Sequence, residues 1–146
     1  MRLEVTRKSD LAVRALRALA GDGARLKAPA LAAAVGSTPG FVAQVMTPLV
    51  RAGWVTSDPG PTGGYLLAVD LTSLSVLAVI EAIEGPTESG RCVLDRGPCG
   101  GSRECALHAA WVNARAELLV GLDAMPVADG VVRGAPPGSG LSRQAG

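Results

Sequence analysis

The chain's three cysteines and its single histidine all fall within one stretch of a 146-residue sequence. The order is Cys92, Cys99, Cys105, His108, with spacing C-x6-C-x5-C-x2-H. Thiolates and an imidazole are the ligand types that hold iron–sulfur clusters and zinc. Gly97-Pro98 and Gly100-Gly101 give the segment between Cys92 and Cys105 the backbone freedom to fold around an inorganic core. Cys105 and His108, three residues apart at the expected start of a helix, face one ligand. The paired C-x2-C knuckles typical of structural zinc are absent, which favours iron–sulfur over zinc. Zinc and metal-free thiols that oxidise stand as the alternatives. Three is an odd number, which argues against a closed disulfide framework.

The elements that must position these residues follow from periodicity. A helix is predicted over Asp10–Ala20, capped by Ser9 or Asp10, with Leu11, Ala15, Ala18 and Leu19 on one face. A short helix follows over Pro29–Val35, with Pro29 in its first turn. After the turn Gly36-Ser37-Thr38-Pro39, a third helix spans about 38–52, capped by Ser37 or Thr38. Its buried face is Phe41, Val42, Val45, Met46, Leu49 and Val50, and Pro48 inside it is expected to remove one bond and kink it. The period then changes. Trp54–Thr56 and Tyr65–Ala68 read as two strands joined by a loop in which five of eight residues are Gly or Pro. Leu74–Gly85 reads as a fourth helix with Glu81 and Glu84 facing water. Cys105–Leu122 reads as a long helix with an apolar stripe of Leu107, Trp111, Ala114, Leu118 and Leu122, which needs a partner surface. From residue 127 the composition predicts a disordered tail.

Three helices followed by a hairpin is the order of a winged helix-turn-helix. The fold class is therefore mainly α: a winged helix-turn-helix with a small β-hairpin wing, plus a long C-terminal dimerisation helix. The expected organisation is a DNA-binding unit over 1–72 (helix-turn-helix about 28–52, wing about 54–68), a cysteine loop and dimer helix over 73–126, and a tail over 127–146.

Composition supports this and excludes rivals. Aromatics are only 3% of the chain, so the core must be Leu, Val and Ala. The net charge of +1 carries no global signal, but its distribution does. Residues 1–55 hold eight Lys or Arg against three Asp or Glu, whereas residues 56–100 hold two against six. A basic N-terminal third suits a polyanion. No stretch approaches the roughly 18 apolar residues that span a bilayer, and the N-terminus lacks a signal-peptide core, so a cytoplasmic location is expected. In that compartment, clustered cysteines mean metal or redox chemistry more often than a disulfide.

In a helix-turn-helix the second helix enters the major groove. Its outward face here carries Thr38, Pro39, Gly40, Ala43, Gln44, Thr47 and Arg51. Gln44 can pair with adenine, and Arg51 with guanine or phosphate. Arg7, Lys8 and Lys27 are placed to meet backbone phosphates, and Gly60, Thr62 and Gly63 of the wing loop to meet the minor groove or phosphates.

The start Ser9-Asp10-Leu11-Ala12-Val13-Arg14-Ala15-Leu16, the wing Gly60-Pro61-Thr62-Gly63-Gly64-Tyr65-Leu66-Leu67-Ala68 and the segment Cys105-Ala106-Leu107-His108-Ala109-Ala110-Trp111 carry a likeness. With Met1-Arg2-Leu3, they make the chain, over about residues 1–125, resemble the Rrf2 family of bacterial transcription regulators, iron–sulfur cluster-binding type. The resemblance implies a homodimeric winged-helix repressor or activator binding double-stranded operator DNA. It also implies an iron–sulfur, redox or nitric-oxide sensor. IscR-like members imply a [2Fe-2S] cluster on Cys92, Cys99, Cys105 and His108, the form favoured here. NsrR-like members imply a [4Fe-4S] cluster on the three cysteines, with Asp10 of the partner subunit as fourth ligand. The sequence departs from the family's pattern in two places: Asp58-Pro59 carries no wing arginine, and Ala43 stands where IscR-like members have a Glu. Both bear on which operator is read.

Other classes fit less well. An enzyme's metal site needs an open position and a general base. Here there is one histidine and no carboxylate constellation beside it, so no enzymatic activity is expected. An electron carrier would need neither wing nor helix-turn-helix. The closest rival is a metal-free thiol or zinc-bound regulator of the same fold.

Overall fold

The structure, a computed structural model, describes residues 4–87, 90–94, 97–100 and 104–129. Helix α1 spans Arg7–Asp22 and buries Leu11, Ala12, Ala15, Leu16 and Leu19. It begins three residues earlier than its apolar period predicts. Thr6 is the N-cap, its Oγ1 accepting from the Ser9 N–H at 3.3 Å. Neither Ser9 nor Asp10 caps the helix, because Ser9 lies inside the first turn and is fully buried. Gly23 ends it in the left-handed conformation, donating to the Leu19 carbonyl.

Helix α2 (Ala28–Val35) and helix α3 (Pro39–Arg51) form the helix-turn-helix, their axes bent by 101° across the turn. Thr38 caps α3, its hydroxyl accepting from the Phe41 N–H at 3.2 Å. Val42, Val45, Met46 and Leu49 are buried against α1 and α2. The helix runs through Pro48 to Arg51 without a break, and the Ala52 N–H bonds to the Pro48 carbonyl at 2.9 Å.

Strands β1 (Val55–Asp58) and β2 (Gly64–Leu67) pair antiparallel, with Val55 opposite Leu67 and Asp58 opposite Gly64. β1 starts one residue and ends two residues later than predicted, and β2 starts and ends one residue earlier. Leu26, in the α1–α2 connection, exchanges two backbone bonds with Tyr65 at 2.7 and 2.9 Å and adds a third edge to the wing. Two of the wing's three glycines are dictated by close approach. A Cβ at Gly63 would sit 2.1 Å from the Asp58 carbonyl oxygen, and one at Gly64 (φ 130°) 2.6 Å from that of Leu26.

Helix α4 (Val76–Glu84), capped by Ser75, buries Val76, Val79 and Ile80. Its two glutamates do not simply face water, as the periodicity predicts. Glu84 accepts from the Thr6 hydroxyl at 2.7 Å, the Thr6 N–H at 3.3 Å and the Ser9 hydroxyl. Burial opposes its ionisation, but the Ser9 and Thr6 donors outweigh that and hold its carboxyl below the usual range. Glu81 accepts from the Thr87 hydroxyl at 2.8 Å and from the Thr87 N–H, which likewise lower its pKa.

Helix α5 spans His108–Asp123 and has no buried residue. It is followed by a 3-10 turn, Val127–Asp129, which corrects the tail expected from residue 127. Val127 is fully buried, and its N–H bonds to the Leu74 carbonyl at 2.8 Å while the Val76 N–H bonds to Met125. The remainder of the expected tail, 130–146, lies outside the described residues. Among the described residues, no single helix is long and apolar enough to cross a membrane.

Candidate metal centre and nucleic-acid interface

The cysteine segment leaves α4 at Gly85 and folds into a small hairpin. The Cys92 N–H bonds to the Gly97 carbonyl at 2.7 Å, the Cys99 N–H to that of Gly90 at 3.2 Å, and Arg91 bridges Pro98. This turn carries Cys92 back beside Cys99, and Cys105 approaches from the residues just before α5. The three Sγ atoms lie within 4.8 Å of one another, with Cys99 and Cys105 at 3.9 Å. All three are free thiols. The Leu94 N–H points at Cys92 Sγ from 3.5 Å, the kind of donor that stabilises a ligating thiolate.

His108 joins them. Its Nδ1 is 3.1 Å from Cys99 Sγ, and its Nε2 faces Glu104 Oε1 at 3.7 Å. One ring nitrogen thus meets the thiols while the other lies near a carboxylate, beyond hydrogen-bond reach. Cys105 is not in the helix, as its spacing suggests, but in the turn preceding it, where its carbonyl accepts from the His108 N–H at 3.0 Å. Desolvation raises the Cys105 thiol's pKa, and the neighbouring Cys92 and Cys99 sulfurs raise it further. A bound cation relieves that crowding, since metal binding displaces thiol protons. The donor set therefore fits a thiophilic metal. Thiolates around one tetrahedral ion, at about 2.3 Å from it, stand about 3.8 Å apart, close to the spacing here. Asp10, the other fourth-ligand expectation, pairs with Arg14 of its own helix at 3.0 Å.

The second candidate surface is the outer face of α3 with its flanks. Pro39, Gly40, Gln44, Thr47 and Arg51 are exposed there. Space beside Gly40 is open. Thr38 is exposed but its hydroxyl is committed to the cap, and the Thr47 hydroxyl donates to the Ala43 carbonyl at 3.0 Å. Arg7 lies over the Phe41 ring at 6.0 Å, tying the first turn of α1 to α3. Lys8 and Lys27 are exposed, as are Gly60 and Thr62. Gly63 differs from expectation: it is buried against the Asp58 and Pro59 carbonyls, so it shapes the wing loop and offers little surface of its own.

Three positioning residues escape a sequence reading. Arg14 donates to the Val35 carbonyl at 2.7 Å, closing the end of α2 onto α1. Arg25 pairs with Asp58 at 2.7 Å. Glu84 grips the start of α1 from 75 residues away. No local pattern encodes the last two, because each partner is brought in by tertiary folding.

Comparisons with known proteins agree with this layout. The family model described as "Rrf2: Iron-dependent Transcriptional regulator" matches residues 5–133. The HTH-type transcriptional regulator IscR of Escherichia coli O1:K1 / APEC is 38% identical over 71 residues, which are 49% of this chain and 43% of that protein. The chain thus spans under half the length of this curated relative in the match. Among solved structures, T. potens IscR superposes with a TM-score of 0.66 at 25% identity, over 87% of this chain and 85% of that one. The global cysteine regulator CymR of B. subtilis gives a TM-score of 0.69 at 24% identity, over 88% and 95%, and speaks to the fold alone.

Proposed function

Because the chain belongs to the Rrf2 family of transcriptional regulators, we propose that it is a cytoplasmic homodimeric regulator. In this reading it binds double-stranded operator DNA through α3 and the wing, and reads iron–sulfur, redox or nitric-oxide status through a cluster. The observation that carries this reading is the convergence of Cys92, Cys99, Cys105 and His108 on one spot in a chain that also folds a winged helix-turn-helix. When bound, the cluster would supply a redox- and nitric-oxide-reactive centre.

The protein's own residues supply the rest. Cys92, Cys99 and Cys105 hold the group, with His108 as fourth ligand. His108, whose Nδ1 sits among the crowded thiols, supports the histidine-ligated [2Fe-2S] form over [4Fe-4S]. The same crowding favours a single zinc ion as the second reading. Residues 1–72 then form the DNA-binding unit. Gln44 and Arg51 reach base edges, and Arg7, Lys8 and Lys27 meet phosphates, with Thr38, Pro39, Gly40, Thr47, Gly60 and Thr62 lining the contact. Residues 73–126 form the sensing and dimerising unit. Leu107, at the start of α5, and Leu118 lie on one face and are exposed, and a second copy's α5 covers that face. A change at the cysteine hairpin reaches the DNA-binding unit along α4, whose last residue, Glu84, holds the first turn of α1 beside Arg7 and Phe41.

Anaerobic purification tests the site. A cluster gives visible absorption, with two irons and two sulfides per chain for the favoured form. A colourless protein with one zinc per chain would replace the cluster with the second reading.

A further inference from the structure

The wing carries no cation of its own. Residues 57–64 read Ser, Asp, Pro, Gly, Pro, Thr, Gly, Gly, whose one ionisable side chain is the acidic Asp58. A surface of that kind repels a polyanion. The structure brings a cation to it from elsewhere in the chain. Arg25, in the α1–α2 connection, places Nη1 at 2.7 Å from Asp58 Oδ2 and at 3.3 Å from the Gly64 carbonyl. Arg25 thereby spans the mouth of the wing loop, touching the last residue of β1 and the first of β2. Its backbone neighbour Leu26 is bonded to Tyr65 of β2, so its placement beside the wing is fixed by the fold. The pair is not sealed: the Arg25 side chain is 28% and the Asp58 side chain 60% exposed. An ion pair so open to water contributes little to stability and exchanges partners readily. A guanidinium has five donors, and a phosphate accepts them in the same forked geometry that a carboxylate does.

From this we infer that Arg25 is the wing's phosphate-binding residue, and that Asp58 is its competitor, holding the guanidinium while DNA is absent and weakening the wing's grip when DNA arrives. The inference rests on the DNA-binding reading above, and goes beyond it by assigning a cation, and an internal brake on it, to a wing whose own sequence has none. A purely structural clasp would behave oppositely. Breaking it would loosen the wing and weaken binding, whereas releasing a competitor strengthens it.

The test uses the full-length protein and a duplex selected by the wild type from a random-sequence library, with affinity measured by fluorescence anisotropy over a range of salt. Asp58→Asn is expected to tighten binding about three- to tenfold at low salt and to steepen the slope of log K against log salt by about 0.9, one additional phosphate contact. Arg25→Gln is expected to weaken binding and flatten the slope. In the double variant Arg25→Gln/Asp58→Asn, most of the gain from Asp58→Asn should vanish. Arg25→Lys, which keeps the charge, should retain most of the affinity, and thermal melts of each variant establish that it is folded. Weaker binding by folded Asp58→Asn with an unchanged salt slope overturns the inference and leaves the DNA-binding reading standing. So does an undiminished gain in the double variant. A wild type that selects no duplex removes both.

Discussion

Helices α3 and α5 are both long, and both look amphipathic in the sequence, yet they are built into the molecule differently. α3 buries four side chains, is capped by Thr38 and packs against α1, α2 and α4. α5 buries none of its sixteen residues, lacks a side-chain cap, and leaves Leu118 and Val120 47% and 68% exposed. The first is fixed by this chain's own core. The second is anchored at its end, through Leu122, Met125 and the buried Val127, and leaves apolar side chains exposed along its length. The same contrast separates the winged helix, built around a buried core, from the cysteine hairpin, where three thiols crowd within 4.8 Å of one another. Rigid presentation of a reading helix and a responsive sensing element call for opposite arrangements.

The sharpest way to break this contrast is to truncate one leucine in each helix. Leu49→Ala, in the fully buried position of α3, is expected to cost about 2–5 kcal/mol and lower the melting temperature accordingly. Leu118→Ala, on α5, should cost under about 0.5 kcal/mol in the isolated chain. Comparable losses at low protein concentration would mean that α5 is packed as tightly as α3. Leu118→Glu carries the comparison to the assembled state. Sedimentation should show a dimer for the wild type and a monomer for this variant, with visible absorption per chain retained. Thr38→Ala, which removes the cap of α3, should destabilise by about 1 kcal/mol, whereas α5 has no equivalent side chain to lose.

The smallest effect lies where the two regions meet. Glu84 has a folded pKa below its ordinary 4.5. A lowered carboxyl contributes stability that is present above the unfolded value and is lost as pH falls through the folded one. Acid titration of the wild type should therefore show a loss of stability below about pH 4.5, a loss that is smaller in Glu84→Gln. Identical acid profiles would indicate that the contact to Thr6 and Ser9 does not discriminate between charge states.

What the sequence revealed, and what it hid, follows the range of the interactions. Helices α2 and α3 were legible because Pro29, Thr38 and the spacing of Val42, Val45, Met46 and Leu49 are local signals. The gathering of the three cysteines and His108 was legible because they are close in sequence, and His108 Nδ1 lies 3.1 Å from Cys99 Sγ. The start of α1 was not, because Ser9 resembles a cap and is instead drawn inward by a glutamate 75 residues away. Glu84 looked like a solvated helix residue for the same reason. The start of β2 at Gly64, one residue before the predicted strand, was hidden because a Gly-rich run reads as loop, whereas Gly64 closely approaches the Leu26 carbonyl. Val127 read as the beginning of a tail because Gly and Pro follow it, whereas its burial depends on Leu71 and Leu74 of a distant segment.

The central claim is that the group held by Cys92, Cys99, Cys105 and His108 governs DNA affinity. It is tested most directly by titrating one selected duplex with cluster-loaded and cluster-free protein, prepared anaerobically from the same batch. Unequal dissociation constants, differing about five- to 150-fold, are the expected result for coupled sites. Equal constants for the two forms, with both verified as folded, would contradict it.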